Sequence, residues 1–305
     1  MYLIKSKGKD MKKNYAIMHN VSLRDYNTLK INCTAQIMAF PYNAKGIKEV
    51  INDYRDNTCN IIVIGIGANI LFSKKMYGDD YLFINLKLMD QKDYFDEYIT
   101  CGAGTTLSQL SWYALENNVK GFEFLEDIPG TVGGAIIMNA GTYENNISQL
   151  IKKIKYYDIS KDIIIEEDVN KDNFNRRKSK WADMDVIIIS ATFIARQGDY
   201  LETLSKLLDI KMNRYQKQPR NYPNAGSVFK RPFVDGKELM VWKLINDSGL
   251  RGMKKNGAMI SEKHTGFIIN TGNATYEDIF YLINTIIETV YKEYGIRLEL
   301  EWKII

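Results

Sequence analysis

The chain is poor in the residues that build disulfide frameworks, metal cages and histidine relays. It has three cysteines and two histidines in 305 residues. Cys33, Cys59 and Cys101 are odd in number, far apart and without metal-ligand spacing. They read as reduced thiols, and no metal site is expected. With only His19 and His264 present, a catalytic histidine base has few candidates. No apolar run approaches the ~20 residues of a membrane span, and the start lacks the apolar core of a secretory signal. The expectation is a cytoplasmic protein with no membrane partner, working as a monomer. A large excess of one charge is also missing, the net being +4. Lys5, Lys7, Lys9, Lys12 and Lys13 are followed by no basic–aromatic array, so a solvated lead-in fits better than nucleic-acid binding. Internal repeats and low-complexity segments are absent as well.

What is present is enough apolar material, 45% of residues, for two proper cores. Short β-branched runs punctuated by Gly, Asn and Asp predict strands at 61–64, 82–86, 99–101, 151–157, 163–167 and 186–193, with a helix at 107–117. This alternation gives an α+β domain over 27–197, after a lead-in of 1–26. Leu201, Leu204, Leu207, Leu208 and Met212 predict a helical face over 199–214, bridging into a second, smaller α+β domain at 198–305. There a helix at 237–246 and a strand at 266–270 come first. Thr275 and Asp278 form a capping-box pattern at the start of a helix that Gly295 ends, and 296–305 alternates as a final strand.

The most informative stretch is 128–141, IPGTVGGAIIMNAG. Gly130, Gly133, Gly134 and Gly141 leave the main chain uncovered, so successive N–H groups can approach an anion. Pro129 stiffens the entry and Asn139 offers a side-chain amide. Two more apolar strands run into glycine turns, at Gly65-Ile-Gly-Ala-Asn69 and at Gly102-Ala-Gly104. Three such turns within about 80 residues suggest loops converging on one extended, phosphate-bearing cofactor. None is the dinucleotide fingerprint or a P-loop. The phosphates are therefore expected on loops, not on a helix start.

Eight ordered motifs carry a resemblance. They are Asn27-Thr-Leu-Lys-Ile31, Gly65–Asn69, Gly121-Phe-Glu-Phe-Leu125 running into 128–141, Arg177-Lys-Ser179, Lys217-Gln-Pro219, Ala225-Gly-Ser-Val-Phe-Lys230, Ser261-Glu-Lys-His264 and Leu298-Glu-Leu-Glu301. From about Asn27 to the C-terminus the chain resembles the UDP-N-acetylenolpyruvoylglucosamine reductase (UDP-N-acetylmuramate dehydrogenase) family of peptidoglycan synthesis. The resemblance implies a flavin domain of the vanillyl-alcohol-oxidase/p-cresol-methylhydroxylase type. It also implies noncovalent FAD, NADPH as hydride donor and a UDP-sugar enolpyruvate as substrate. Fifty residues separate Arg177 from Ser227, a short span that is similar to the family's compact second class.

The family reaction reduces an enolpyruvyl ether. It builds negative charge beside a carboxylate, then requires a proton on the neighbouring carbon. By resemblance Ser227 is the proton donor, with Gly226 allowing close approach and Lys230 supplying positive charge toward the substrate. Arg177 matches the catalytic arginine, whose guanidinium can grip a carboxylate with two parallel hydrogen bonds. Glu301 matches the third catalytic position, where burial would keep it protonated. Gly65, Gly67, Ala68, Asn69, Gly102, Gly130, Thr131, Gly133, Gly134, Asn139, Ala140 and Gly141 are assigned to FAD, and Lys217 to substrate or nicotinamide phosphates. Plainer readings stand beside these. Arg176-Arg-Lys178 also suits a solvated turn, Lys217 a surface helix end, and Glu299 with Glu301 one solvent-facing side of a strand.

The chain departs from the family pattern at several points. Ala68 stands where a serine is usual, Arg176 where a tyrosine belongs, and Leu300 where proline separates the two glutamates. Glu126-Asp127 replaces a small residue and glycine, Asn32-Cys33 a glycine pair, and Val241-Trp242 small residues. Two acids beside a diphosphate would repel it unless they point away. These departures keep two rivals open: a flavoprotein paralogue with another substrate, and a non-catalytic binding protein retaining the fold.

Overall fold

A computed structural model describes residues 13–55, 60–142 and 145–305. Cys59 and the lysines at 5, 7, 9 and 12 lie outside the described residues, while Lys13 pairs with Asp53 at 2.9 Å.

Two five-stranded sheets form the first domain. In one, strand order runs Tyr15–Ser22, Thr34–Pro41, Tyr81–Asn85, Asn60–Ile64, with Met76–Tyr77 added beside Thr34–Pro41. In the other, the antiparallel order is Ile163–Asp168, Ile151–Asp158, Val186–Ile194, Tyr98–Gly102, Lys92–Phe95. Between them lies one core, built from Ile37, Leu82 and Ile84 of the first sheet and Ile99, Ile154 and Phe193 of the second. Three helices complete it: α1 (Ala44–Tyr54), α2 (Leu107–Glu116) and α3 (Val132–Met138). Helix α1 starts where the Asn43 side chain accepts from the Gly46 N–H, and it buries Ile47, Val50 and Ile51 on one face. Each such side chain contributes about 1.5–3 kcal/mol by leaving water, so Ile47→Asn should detach the helix.

The strand Tyr15–Ser22 pairs along its length with Thr34–Pro41. The expected lead-in of 1–26 is therefore, from Tyr15 onward, a structural strand of the first domain.

Helix α4 (Tyr200–Lys217) runs longer than its sequence pattern suggested. Its buried face is Thr203, Leu207 and Arg214, against α2 and the turn Glu123–Leu125. Leu201, Leu208 and Met212 point to solvent instead. The leucines fit two neighbouring faces of the wheel, and packing against α2 selects the one that carries Arg214. So α4 belongs physically to the first domain.

The second core gathers Ile245, Ile260, Ile268, Ile279, Leu282 and Ile286, and it takes in Leu29, Ile31 and Leu71 from the first domain. Helix α5 is only Val241–Asp247. The preceding residues form a hairpin, Phe233–Val234 with Lys237–Glu238, because Asp235 (φ 49°) and Gly236 (φ 76°) make a two-residue turn of the kind that closes hairpins. Helix α6 (Tyr276–Tyr294) opens on the Thr275–Asp278 capping box and ends at Gly295 in the left-handed region, φ 68°. The final segment is not the continuous strand expected for 296–305. Leu300 makes a single bridge to Phe229, and Lys303–Ile304 then pairs in parallel with Ile70–Leu71 of the first domain.

Candidate active site

The loop Gly65–Asn69, helix α3 with the loops at both its ends, and the turn 224–227 enclose an elongated cavity of about 370 Å³. Ten of the residues assigned to a cofactor line it: Gly65, Gly67, Ala68, Asn69, Gly130, Thr131, Gly133, Gly134, Ala140 and Gly141. Gly67 needs its glycine twice over. Its φ is +66°, and a Cβ there would stand 2.2 Å from the Tyr26 carbonyl oxygen.

Two assigned residues do not line the cavity. Gly102 packs where a Cβ would meet the Met89 carbonyl oxygen at 2.1 Å, so its missing side chain serves the approach of another loop. Asn139 ends α3 with φ 43°, and its Nδ2 donates to the Asn175 carbonyl at 3.0 Å.

Gly133 and Gly134 of the glycine-rich stretch sit in the first turn of α3. The Val132 N–H donates to the Thr105 carbonyl and the Gly133 N–H to the Ala103 carbonyl, at 2.8 and 2.9 Å. Those two amides clamp the helix to the turn after the strand Tyr98–Gly102, and they are not an anion nest.

Side chains supply the positive field instead. Arg177, Arg214, Arg220 and Lys303 line the cavity, and among the described residues Glu301 is its lone acid. Lys217 lies exposed at the end of α4 and misses the cavity, which its neighbours Arg214, Gln218 and Arg220 reach. Arg214 carried a signal in the sequence: it follows Leu207 by seven residues and so shares its buried face.

The acidic pair that threatened a diphosphate is turned away and matched. Burial alone would push the Glu126 carboxyl up, but hydrogen bonds from Lys211 (2.8 Å) and Ser108 outweigh it and hold the group low. The Asp127 carbonyl accepts from Arg214 Nη2 at 3.2 Å, and both its carbonyl and its carboxylate accept from Arg220.

Arg177, Ser227 and Glu301 come together. Arg177 stands in the two-residue turn between Phe174–Asn175 and Lys178–Ser179, at φ 56°. That left-handed backbone is uncommon for a non-glycine residue and is typically held by its surroundings. Here Arg177 Nη1 donates to the Gly141 carbonyl at 2.9 Å, Nε lies 3.2 Å from Glu301 Oε1, and Ser179 Oγ donates to the Ile137 carbonyl at 3.2 Å. Glu301 is fixed through its backbone: its N–H donates to the Val228 carbonyl, and its own carbonyl accepts from Asn69 Nδ2. Burial pushes the Glu301 carboxyl above its ordinary range, against the pull of Arg177, Arg176, Lys230 and Arg231. Its neighbour Glu299 faces outward and pairs with Lys230 at 3.3 Å. The two glutamates therefore do not share a solvent-facing side.

These three residues line a second cavity as well, of about 570 Å³. Five cations surround it: Arg176, Arg177, Lys230, Arg231 and Arg297. The trio thus forms the doorway between a backbone-walled cleft and a cationic chamber.

Residues 35–158 match the FAD binding domain model, and 218–305 match the model of the UDP-N-acetylenolpyruvoylglucosamine reductase C-terminal domain. The UDP-N-acetylenolpyruvoylglucosamine reductase of Caldanaerobacter subterraneus is 34% identical over 99% of this chain and 98% of its own length. The chain belongs to this reductase family. The reductase of Fervidobacterium nodosum is 37% identical over 93% of this chain and 90% of its own. A crystal structure of UDP-N-acetylenolpyruvylglucosamine reductase from Thermus caldophilus superposes with a TM-score of 0.77, at 25% identity, over 95% of this chain and 99% of that one.

As a reductase-family member, the chain joins an FAD binding domain to the family's own C-terminal domain. The FAD-domain match spans the loops Gly65–Asn69 and 128–141, and the C-terminal match spans Ser227, Lys230 and Glu301. The cleft fits a flavin dinucleotide by its own chemistry. Beside its four cations, Thr142 Oγ1 and Arg220 Nε are buried on its wall without a hydrogen-bond partner among the described residues. Buried polar atoms of that kind call for a polar occupant.

Proposed function

We propose that this chain reduces UDP-N-acetylglucosamine-enolpyruvate to UDP-N-acetylmuramate with NADPH, as an FAD-dependent step of peptidoglycan precursor synthesis. The observation that carries the reading is the doorway. Arg177, Ser227 and Glu301 border both the flavin cleft and the cationic chamber, so a ligand in each would meet at all three. When bound, FAD supplies the hydride that it takes from NADPH.

Arg177 is assigned to the enolpyruvyl carboxylate. Its guanidinium stays charged and stabilises the negative charge that grows there as the double bond is reduced. Glu301, whose carboxyl burial raises above its ordinary range, stands at the same place beside Arg177. Ser227 delivers a proton to the carbon beside the carboxylate, from a turn in which Gly226 takes φ +78° and its N–H donates to Asn224 Oδ1 at 3.1 Å. Lys230, Arg231 and Arg297 face the substrate's diphosphate. FAD is held without a covalent bond. The cytoplasm is the compartment and one chain the working unit; described residues of one chain line both cavities.

The test is anaerobic stopped-flow absorbance. NADPH should bleach the bound flavin, and the enolpyruvyl substrate should restore its colour while UDP-N-acetylmuramate appears by mass spectrometry. A reduced flavin that this substrate reoxidises no faster than buffer does would end the assignment.

A further inference from the structure

The cationic chamber is partly filled by the protein's own carboxylates. Glu301 pairs with Arg177 and Glu299 with Lys230, both from the last segment of the chain. Arg176 and Arg231 are matched differently. Both pair with Glu238, Arg231 Nη1 donating to Glu238 Oε2 at 2.6 Å and Arg176 bonding the other oxygen. Arg176 comes from the first domain and Arg231 from the second, so one carboxylate bridges two guanidiniums across the domain boundary. Glu238 itself is not part of the chamber wall. It reaches in from the hairpin Phe233–Glu238, whose two-residue turn stands free and whose Phe233 side chain is exposed.

A carboxylate shared by two arginines has the charge and reach of one phosphate oxygen pair. The pairs are cheap to exchange. Arg176, Arg231 and Glu238 are 53%, 50% and 33% exposed, and ion pairs that open to water hold weakly. Arg176 is also the residue that stands where the family resemblance places a tyrosine.

We infer that Glu238 is a built-in competitor for the substrate's diphosphate: it occupies Arg176 and Arg231 in the free enzyme and swings out with its hairpin when a nucleoside diphosphate enters. This rests on the proposed function above. The apparent affinity for a diphosphate is then lowered by the fraction of molecules in which Glu238 is docked.

The experiment is titration of the FAD-loaded enzyme with UDP and, separately, with uridine, followed by calorimetry. Glu238→Gln keeps the side chain's size and removes its charge. It should bind UDP about 2- to 5-fold more tightly than the wild type, the scale of losing one exposed ion-pair competitor. Uridine, without phosphates, should bind both proteins alike. The double variant Arg176→Gln, Glu238→Gln should lose most of the gain. Unchanged or weaker UDP binding by Glu238→Gln overturns the inference while leaving the reductase reading intact, and so does an equal gain for uridine. A double variant as tight as Glu238→Gln overturns the bridge. Absence of UDP binding in every protein overturns both readings together.

Discussion

Arg177 Nε stands 3.2 Å from Glu301 Oε1, and this contact joins a hairpin turn of the flavin domain to the last segment of the chain. The pair is unequal. Burial raises the Glu301 carboxyl above its ordinary range, while the Arg177 guanidinium beside it pulls the other way. A guanidinium and a carboxyl whose pKa burial raises therefore face the same point in the doorway.

Ser227→Ala tests the proton donor. Reduction of FAD by NADPH involves no enol carbon and should be spared, while reoxidation by the enolpyruvyl substrate should slow by about 10²–10⁴-fold, the usual reach of general acid catalysis. Stopped-flow absorbance separates the halves. Wild-type reoxidation in the variant would remove Ser227 from the mechanism.

Arg177 combines function with backbone strain. Arg177→Gly should relax the left-handed turn, leaving the melting temperature equal or raised by the equivalent of about 1 kcal/mol, while reoxidation collapses. Arg177→Lys keeps the charge but loses the bidentate grip, so both substrate binding and hydride transfer should weaken. A glycine variant that melts well below the wild type would show that the side chain's bonds to Gly141 and Glu301 outweigh the strain.

Glu301 gives a pH signature. A carboxyl whose folded-state pKa lies above its unfolded value adds stability at low pH that is lost as pH rises through the folded pKa. Glu301→Gln is neutral throughout, so its melting temperature should gain on the wild type as pH climbs through that window. The basic limb of the reoxidation profile should flatten in the same variant. A melting difference that stays constant with pH would contradict a raised Glu301 pKa.

Noncovalent flavin is checked by acid precipitation, which should release all the yellow colour to the supernatant. Cys101 is the one thiol beside a glycine turn, but it is fully buried, does not line the cleft, and burial pushes its pKa up to about 12. A yellow pellet would point to a covalent bond.

The parts of the site made of bare backbone were legible in the sequence, since a chain exposed to a ligand is written in glycine. Gly102 misled for the same reason: a glycine that admits a neighbouring carbonyl reads no differently from one that admits a cofactor. Arg214 was missed although it shares the Leu207 face, because packing against α2 decides which face of α4 is buried, and Arg220 lies beyond the helix, where no periodicity applies. The Glu126–Asp127 problem was likewise insoluble locally, because its answers, Lys211, Arg214 and Arg220, lie 85 to 93 residues away. Helix α6 was the opposite case, its cap, face and stop all written within its own span.

The bond from Asn69 Nδ2 to the Glu301 carbonyl spans 232 positions, and the parallel pairing of Lys303–Ile304 with Ile70–Leu71 closes the same loop one residue wider. Such closures come late in folding, because the chain must lose loop entropy before the contact can form. The doorway is therefore an assembly checkpoint: the core between the two sheets can form while Glu301 is still away from Arg177. During refolding from denaturant with FAD present, tertiary fluorescence should return first and turnover only after a lag. Activity that rises in step with fluorescence would mean that the terminal segment docks early.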